Sequence, residues 1–144
     1  ESSTGWKVWR RLKGISHNWT PTTTFKYMLV QRRFIKPGQD QAVVHFLRRA
    51  KMVYDKHNYT GVIGIFRVMS GGNTNEYIIC DGFNEYGVGG EFPDTEKTLE
   101  ELYNEMFGWE SYRKDARLYN DALEMYSRTT ERYHFNEELS TSIN

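Results

Sequence analysis

The chain has little cysteine, no excess of charge of either sign and no long apolar run. Its single cysteine, Cys80, excludes an internal disulfide and a metal site built on several cysteines. Lysine plus arginine and aspartate plus glutamate both number 19, so the whole molecule has no net charge with which to attract nucleic acid. No apolar run approaches the ~18 residues of a membrane-spanning helix. We therefore predict neither a nucleic-acid partner nor a membrane span.

Aromatic residues, by contrast, are plentiful. They make up 15% of the 144 residues, and tyrosine alone occurs 10 times. Tyrosine joins a large apolar ring to a polar tip, which suits strands, pocket walls and subunit interfaces. The length and the 38% apolar content suit one domain with a substantial core.

The charges are unevenly distributed along the chain. Residues 2–39 contain eight basic residues and no acidic one, which leaves an acidic excess in the remainder. We divide the chain into a basic arm at residues 1–24, an α+β domain at residues 25–136 and a polar tail at residues 137–144. The arm is expected to dock on the acidic helices of its own fold or of a second subunit, and a nucleic-acid site is the weaker alternative.

The first residue, Glu1, is neither an initiator methionine nor part of a signal-like apolar segment. Either an export signal has been removed or the sequence has been trimmed. We expect a soluble protein, and the sequence does not identify its cellular compartment.

Several segments are rich in β-branched and aromatic residues and are bounded by turn residues, which is typical of strands. These strands are predicted at residues 25–35, 62–69, 76–83 and 128–135, with a short edge strand at residues 6–10. The turn-rich loop at residues 70–75 predicts a hairpin between the second and third of the main strands.

Apolar residues recur at spacings of three and four behind Asp40, the expected N-cap, which predicts a helix that ends near His57. A second helical region has the spacing of a capping box from Thr98 to Glu101, and Asp94 and Thr95 are the alternative caps. Gly108 divides that region into two consecutive helices. The order is therefore β-α-β-β-α-β, which predicts a four-stranded antiparallel sheet.

This order, together with the turn Lys36-Pro37-Gly38 after the first main strand, resembles the dimeric α+β barrel superfamily. That group includes antibiotic-biosynthesis-monooxygenase-like and NIPSNAP-like domains. The resemblance covers residues 25–135 and implies a ferredoxin-like unit that pairs with a second copy to form a homodimer. It also implies a cavity between sheet and helices. The superfamily contains cofactor-free oxygenases, haem degraders, isomerases and members without known activity, so the fold alone does not decide the function.

Strands in such a barrel can be buried on both faces, which makes charged residues in them informative. Arg33, Arg67 and Asp81 form one such set. They are candidates to bind a polar group of a ligand, because an arginine fork binds carboxylates well. The alternative is a structural ion pair or strand ends that reach water.

Among the four histidines, His134 in the last strand is the candidate catalytic base or ligand. His45 and His57 lie about three helical turns apart, too far to bind one metal ion. A haem-degrading relative would be expected to have an asparagine in the first strand, where this chain has Gln31, and a histidine around the second helical region. Residues 109–126 contain no histidine. We predict no metal and no cofactor.

The second helical region has an aromatic stripe that includes Trp109, Tyr112 and Tyr119. It is a candidate pocket wall for a flat molecule, although a stripe at helical spacing is commonly core. The leading hypothesis is a homodimer that binds an apolar or aromatic small molecule. The alternatives are a cofactor-independent monooxygenase acting on an aromatic substrate and a protein with a purely structural or interaction role.

Overall fold

A computed structural model describes residues 8–20, 22–70, 75–84, 89–125 and 129–134. The elements run in the order β1 (Val8–Arg11), β2 (Tyr27–Phe34), α1 (Asp40–Lys56), β3 (Val62–Ser70), β4 (Glu76–Phe83), α2 (Leu99–Phe107), α3 (Ser111–Asp121) and β5 (Thr129–His134). The predicted α+β class and the predicted order of the main elements are confirmed.

All of the strand pairs are antiparallel, and the strands form one sheet in the order β1-β3-β4-β2-β5. The inner arrangement β3-β4-β2-β5 is compatible with a ferredoxin-like fold. The sheet has five strands instead of the predicted four. The additional strand is β1, which overlaps the short edge strand predicted at residues 6–10 and pairs with the outer edge of β3. Part of the basic arm therefore belongs to the sheet.

The start of α2 and the break after it follow local sequence rules. Thr98 and Glu101 form the expected capping box, in which each side chain binds the backbone of the other residue. Gly108 has a positive φ of 115° and separates α2 from α3, as predicted. The prediction of Asp40 as an N-cap was wrong: Gln39 holds that position, and Asp40 is the first residue of α1. None of the described helices combines the length and apolar character needed to cross a membrane.

The main core lies between the helices and one face of the sheet. Ile63 and Ile65 of β3 and Ile79 of β4 are buried there against Val43 of α1. The alternation of these strand residues agrees with the two-residue period of a strand that has a different environment on each face.

The opposite face of the sheet is also covered. Val30, Val68 and Ile78 are buried there. The ring of Trp19 lies over Gly64 so closely that a Cβ at that glycine would be 2.5 Å from the ring. Phe25 packs over Gly82 in the same way, at 2.6 Å. The chain between β1 and β2 therefore supplies aromatic rings that cover this face.

His17 attaches this connecting segment to the rest of the fold. Its backbone forms an isolated bridge with Ile63, and its side chain is only 5% exposed. The imidazole Nδ1 lies 3.1 Å from Asp55 Oδ1, and Nε2 lies 2.8 Å from the carbonyl oxygen of Tyr59. Both partners are acceptors, so a ring nitrogen that carries a proton donates to the oxygen beside it.

Candidate functional site

Two rows of cross-strand neighbours lie on the sheet face that packs against the helices. The first row consists of Arg10 on β1, Arg67 on β3, Tyr77 on β4 and Arg33 on β2, each directly opposite the next. The second row consists of Ile63, Asp81, Leu29 and Arg132 on β3, β4, β2 and β5.

The rows are separated by four residues along β4, from Tyr77 to Asp81, or about 13 Å of extended chain. The predicted charged set is therefore divided. Arg33 and Arg67 flank one tyrosine, whereas Asp81 lies in the other row. The two rows define two distinct environments at opposite ends of the strands.

Asp81 lines a pocket of about 350 Å³ at one end of the sheet. Leu29, Tyr59, Phe83 and Arg132 contribute to its walls. Within the described parts of the chain, the Asp81 carboxylate has no hydrogen-bond donor and no cationic partner. Because burial disfavours the charged form, it raises the pKa of Asp81 to about 6.

One side of this pocket is supported by stacked aromatic rings. Tyr59 stacks on Tyr54 with ring centroids 4.5 Å apart, and Phe92 lies 4.9 Å from Tyr59. Burial, and secondarily the neighbouring acidic groups, raises the pKa of both tyrosines, so their phenols stay protonated. The pocket therefore combines a poorly solvated carboxylate with a neutral aromatic wall.

A carboxyl group in this environment can do two things. As a carboxylate it accepts hydrogen bonds or pairs with a cation, and both interactions are strong where water is scarce. With a pKa of about 6 it can also take up and release a proton near neutral pH.

Two of the three arginines in the first row, Arg67 and Arg33, have local partners. The Arg67 guanidinium lies 3.3 Å from Asp40 Oδ2 and 5.6 Å from the centroid of the Tyr77 ring. The Tyr77 hydroxyl donates to the same Asp40 oxygen at 3.2 Å. Arg33 donates to Gln31 Oε1 at 3.2 Å and to the carbonyl of Arg32 at 2.9 Å. Asp40 thus links the start of α1 to the sheet.

The predicted aromatic stripe does not form one surface. Trp109 is 88% exposed, just before α3. Tyr112 and Tyr119 instead pack on Phe46 of α1, with ring centroids 5.5 Å and 5.3 Å away. Neither tyrosine is among the residues that line the Asp81 pocket.

The predicted catalytic residue, His134, is the last residue of β5, where its backbone pairs with Tyr27. Its side chain lies outside the described part of the structure. The proposed role of His134 stays a prediction.

Sequence reasoning missed Tyr59 and His17. Tyr59 belongs to the stretch Asn58-Tyr59-Thr60-Gly61, which predicted only the end of a helix. His17 lies in the arm, far from any predicted strand. The only sequence signal for Tyr59 was a large aromatic residue two positions before a glycine. In the structure a Cβ at Gly61 would be 2.3 Å from the tyrosine ring.

In the described ranges, no group of three or more histidine, cysteine, aspartate or glutamate side chains is arranged to hold a metal ion. The class that the fold defines is an α+β protein with an antiparallel sheet and three helices, compatible with a ferredoxin-like fold. The chain matches no family model, and comparison with curated proteins and with solved structures gives no significant match.

Proposed function

We propose that the pocket around Asp81 binds a small aromatic or apolar molecule that carries a hydrogen-bond donor or a positive charge. The supporting observation is the Asp81 carboxylate, which lines the pocket without a donor or cation among the described residues. A poorly solvated carboxylate without a partner is unfavourable. A ligand that supplies donors at this position relieves that cost and gains binding energy.

The shape and lining of the pocket support a compact ligand. Its volume of about 350 Å³ lies at the lower end of the range for small-molecule sites. Leu29, Tyr59 and Phe83 offer apolar surface to the body of the ligand, and Asp81 selects its polar group. A single aromatic ring with an amine, amidine or hydroxyl group fits this description.

Thermal unfolding in the presence of benzamidine, benzylamine, benzyl alcohol and benzoate tests the proposal. At about pH 7.5 a carboxyl with a pKa of about 6 is ionised. The two cationic probes are expected to raise the Tm of the wild type in a concentration-dependent way. Benzoate should not, because its negative charge opposes that of Asp81.

The decisive variant is Asp81→Asn, in which these Tm shifts should disappear. Asp121→Asn is the matched control, because Asp121 is exposed at the end of α3. Equal shifts in the wild type and in Asp81→Asn would show that Asp81 does not hold the ligand.

The pKa of Asp81 favours one second candidate, a cofactor-independent oxygenase. In that reaction Asp81 removes a proton from an electron-rich aromatic substrate, whose anion then reacts with dioxygen. For an anthrone, one dioxygen is consumed, the methylene carbon becomes a carbonyl and one water is released. A base with a pKa near the working pH is well suited to the first step.

Oxygen uptake with anthrone and with polyphenols tests this candidate. The rate should follow the ionisation of a group with a pKa of about 6 and should fall at least about a hundredfold in Asp81→Asn. A loss in His134→Ala with full activity in Asp81→Asn would assign the base to His134 instead. No uptake with either substrate class would remove the support for an enzyme.

We further propose that the chain forms a homodimer through the sheet face that lies away from the helices, as in a dimeric α+β barrel. Trp19 and Phe25 cover part of this face over Gly64 and Gly82, so their rings would form the contact. Light scattering at micromolar concentration tests this. A monomer mass would contradict the dimer and leave the Asp81 pocket unaffected.

A further inference from the structure

A second, larger groove lies at the other end of the sheet, between the segment that contains β1 and helix α1. Its volume is about 890 Å³. Apolar residues such as Ile15 and Val44 form part of its wall. The remaining lining is dominated by basic side chains, namely Arg10, Arg11, Lys13, Arg48 and Arg67.

The register of the sheet brings two of these cations together. Arg10 on β1 lies directly opposite Arg67 on β3. Like charges at directly opposed positions repel each other and destabilise a strand pair. Asp40 offsets part of the charge, and its carboxylate contacts Arg67 and the Tyr77 hydroxyl.

Three further cations of the groove have no carboxylate partner within the described ranges. Arg10, Lys13 and Arg48 have no ion pair with any residue in the described parts of the chain. Positive charges on three different segments, β1, the turn after it and α1, therefore face one groove. Arg11 differs, because its Nη1 donates to the carbonyl of Trp19 at 2.8 Å.

We propose that this groove binds the phosphate group or diphosphate group of a small organic molecule. Three cations without partners among the described residues match an anion of two or three charges better than a single carboxylate. Arginine forks bind phosphate oxygens in a bidentate way, and the apolar wall at Ile15 and Val44 accommodates an organic part. The volume falls within the usual range for small-molecule sites. The molecule as a whole has no net charge, which favours a small ligand over a polyanionic chain.

Calorimetric titration with inorganic pyrophosphate tests the site. The wild type is expected to bind it, and Arg10→Gln and Arg48→Gln should each weaken binding about tenfold, because each removes one charge-assisted contact. Both residues are exposed, and circular dichroism verifies that the variants fold. Arg117→Gln is the matched control, since Arg117 is an exposed arginine of α3 outside the groove. It should bind as the wild type does.

Several outcomes would overturn the proposal. One is the absence of binding at pyrophosphate concentrations up to about 10 mM, which corresponds to less than about 3 kcal/mol of binding free energy. Another is a loss of binding in Arg117→Gln equal to that in Arg10→Gln. Cosedimentation with phosphatidylcholine vesicles that contain phosphatidylinositol phosphate, without binding of soluble pyrophosphate, would assign the groove to a lipid headgroup. Tighter binding of a single-stranded oligonucleotide would assign it to nucleic acid. Asp81→Asn should leave pyrophosphate binding unchanged, so this test is independent of the first pocket.

Discussion

The Tyr103 hydroxyl donates a hydrogen bond of 2.6 Å to Asp115 Oδ2, which joins α2 to α3 inside the protein. Tyr103 is 0% exposed and Asp115 is 4% exposed. The same carboxylate oxygen accepts from Arg49 Nη1 of α1 at 3.1 Å. One buried carboxylate therefore connects all three described helices.

We predict that Tyr103→Phe lowers the free energy of unfolding by about 1–3 kcal/mol, because it takes one donor away from a buried carboxylate. Urea denaturation measures this change. Tyr112→Phe is the control: its ring packs at 5.4 Å from Tyr103, and its hydroxyl has no hydrogen bond to a described residue. A loss in Tyr112→Phe as large as that in Tyr103→Phe would mean that ring packing, not the hydrogen bond, is responsible.

The raised pKa of Asp81 predicts a pH-dependent stability that the variant Asp81→Asn lacks. Because the folded-state pKa of about 6 exceeds the ordinary value of 3.8, the native protein binds more protons than the unfolded chain between these pH values. The contribution of Asp81 to the free energy of unfolding therefore decreases as the pH rises from about 4 to about 6. Above about pH 6 it decreases no further. The advantage of Asp81→Asn over the wild type should grow by about 2–3 kcal/mol from pH 4 to pH 7.

Urea denaturation at several pH values measures the difference, with Asp121→Asn as control. Parallel pH profiles for the wild type and Asp81→Asn would contradict the raised pKa. If Asp81 binds the ligand at a cost in stability, Asp81→Asn should be more stable than the wild type and should no longer bind the ligand.

The glycines under Trp19 and Phe25 should not tolerate a side chain. We predict that Gly64→Ala and Gly82→Ala each lower the free energy of unfolding by about 1–3 kcal/mol, because the new Cβ would overlap an aromatic ring. Gly14→Ala is the control, since a Cβ at that glycine would meet no described atom within 4 Å. Thermal or urea denaturation measures all three. Unchanged stability of Gly64→Ala would show that the Trp19 ring can leave the sheet.

His17 should be the main attachment of the segment between β1 and β2. We predict that His17→Ala lowers the free energy of unfolding by about 2–4 kcal/mol, because it opens a cavity and removes the ring that contacts Asp55 and the Tyr59 carbonyl. His57→Ala is the control, since among the described residues the His57 ring makes only an edge contact with Phe92. Similar losses in the two variants would contradict a special role for His17.

Local patterns predicted the elements well because each depends on neighbouring residues. The capping box at Thr98, the helix break at Gly108 and the β-branched and aromatic composition of β3 and β4 are of this kind. The separation of Asp81 from Arg67 could not be predicted, because it depends on the pairing register of strands distant in sequence. The sequence revealed that the arm is basic. It could not reveal that Arg10 lies opposite Arg67, because that depends on how β1 pairs with β3.

The close contact of Trp19 with Gly64 and of Phe25 with Gly82 has an evolutionary consequence. Each ring occupies the space that a side chain on the glycine would need, so the two members of a pair cannot change independently. In relatives of this chain, a larger residue at position 64 should occur together with a smaller residue at position 19, and positions 82 and 25 should covary in the same way. A relative that replaces both rings would expose this sheet face and be free to use it for a different contact.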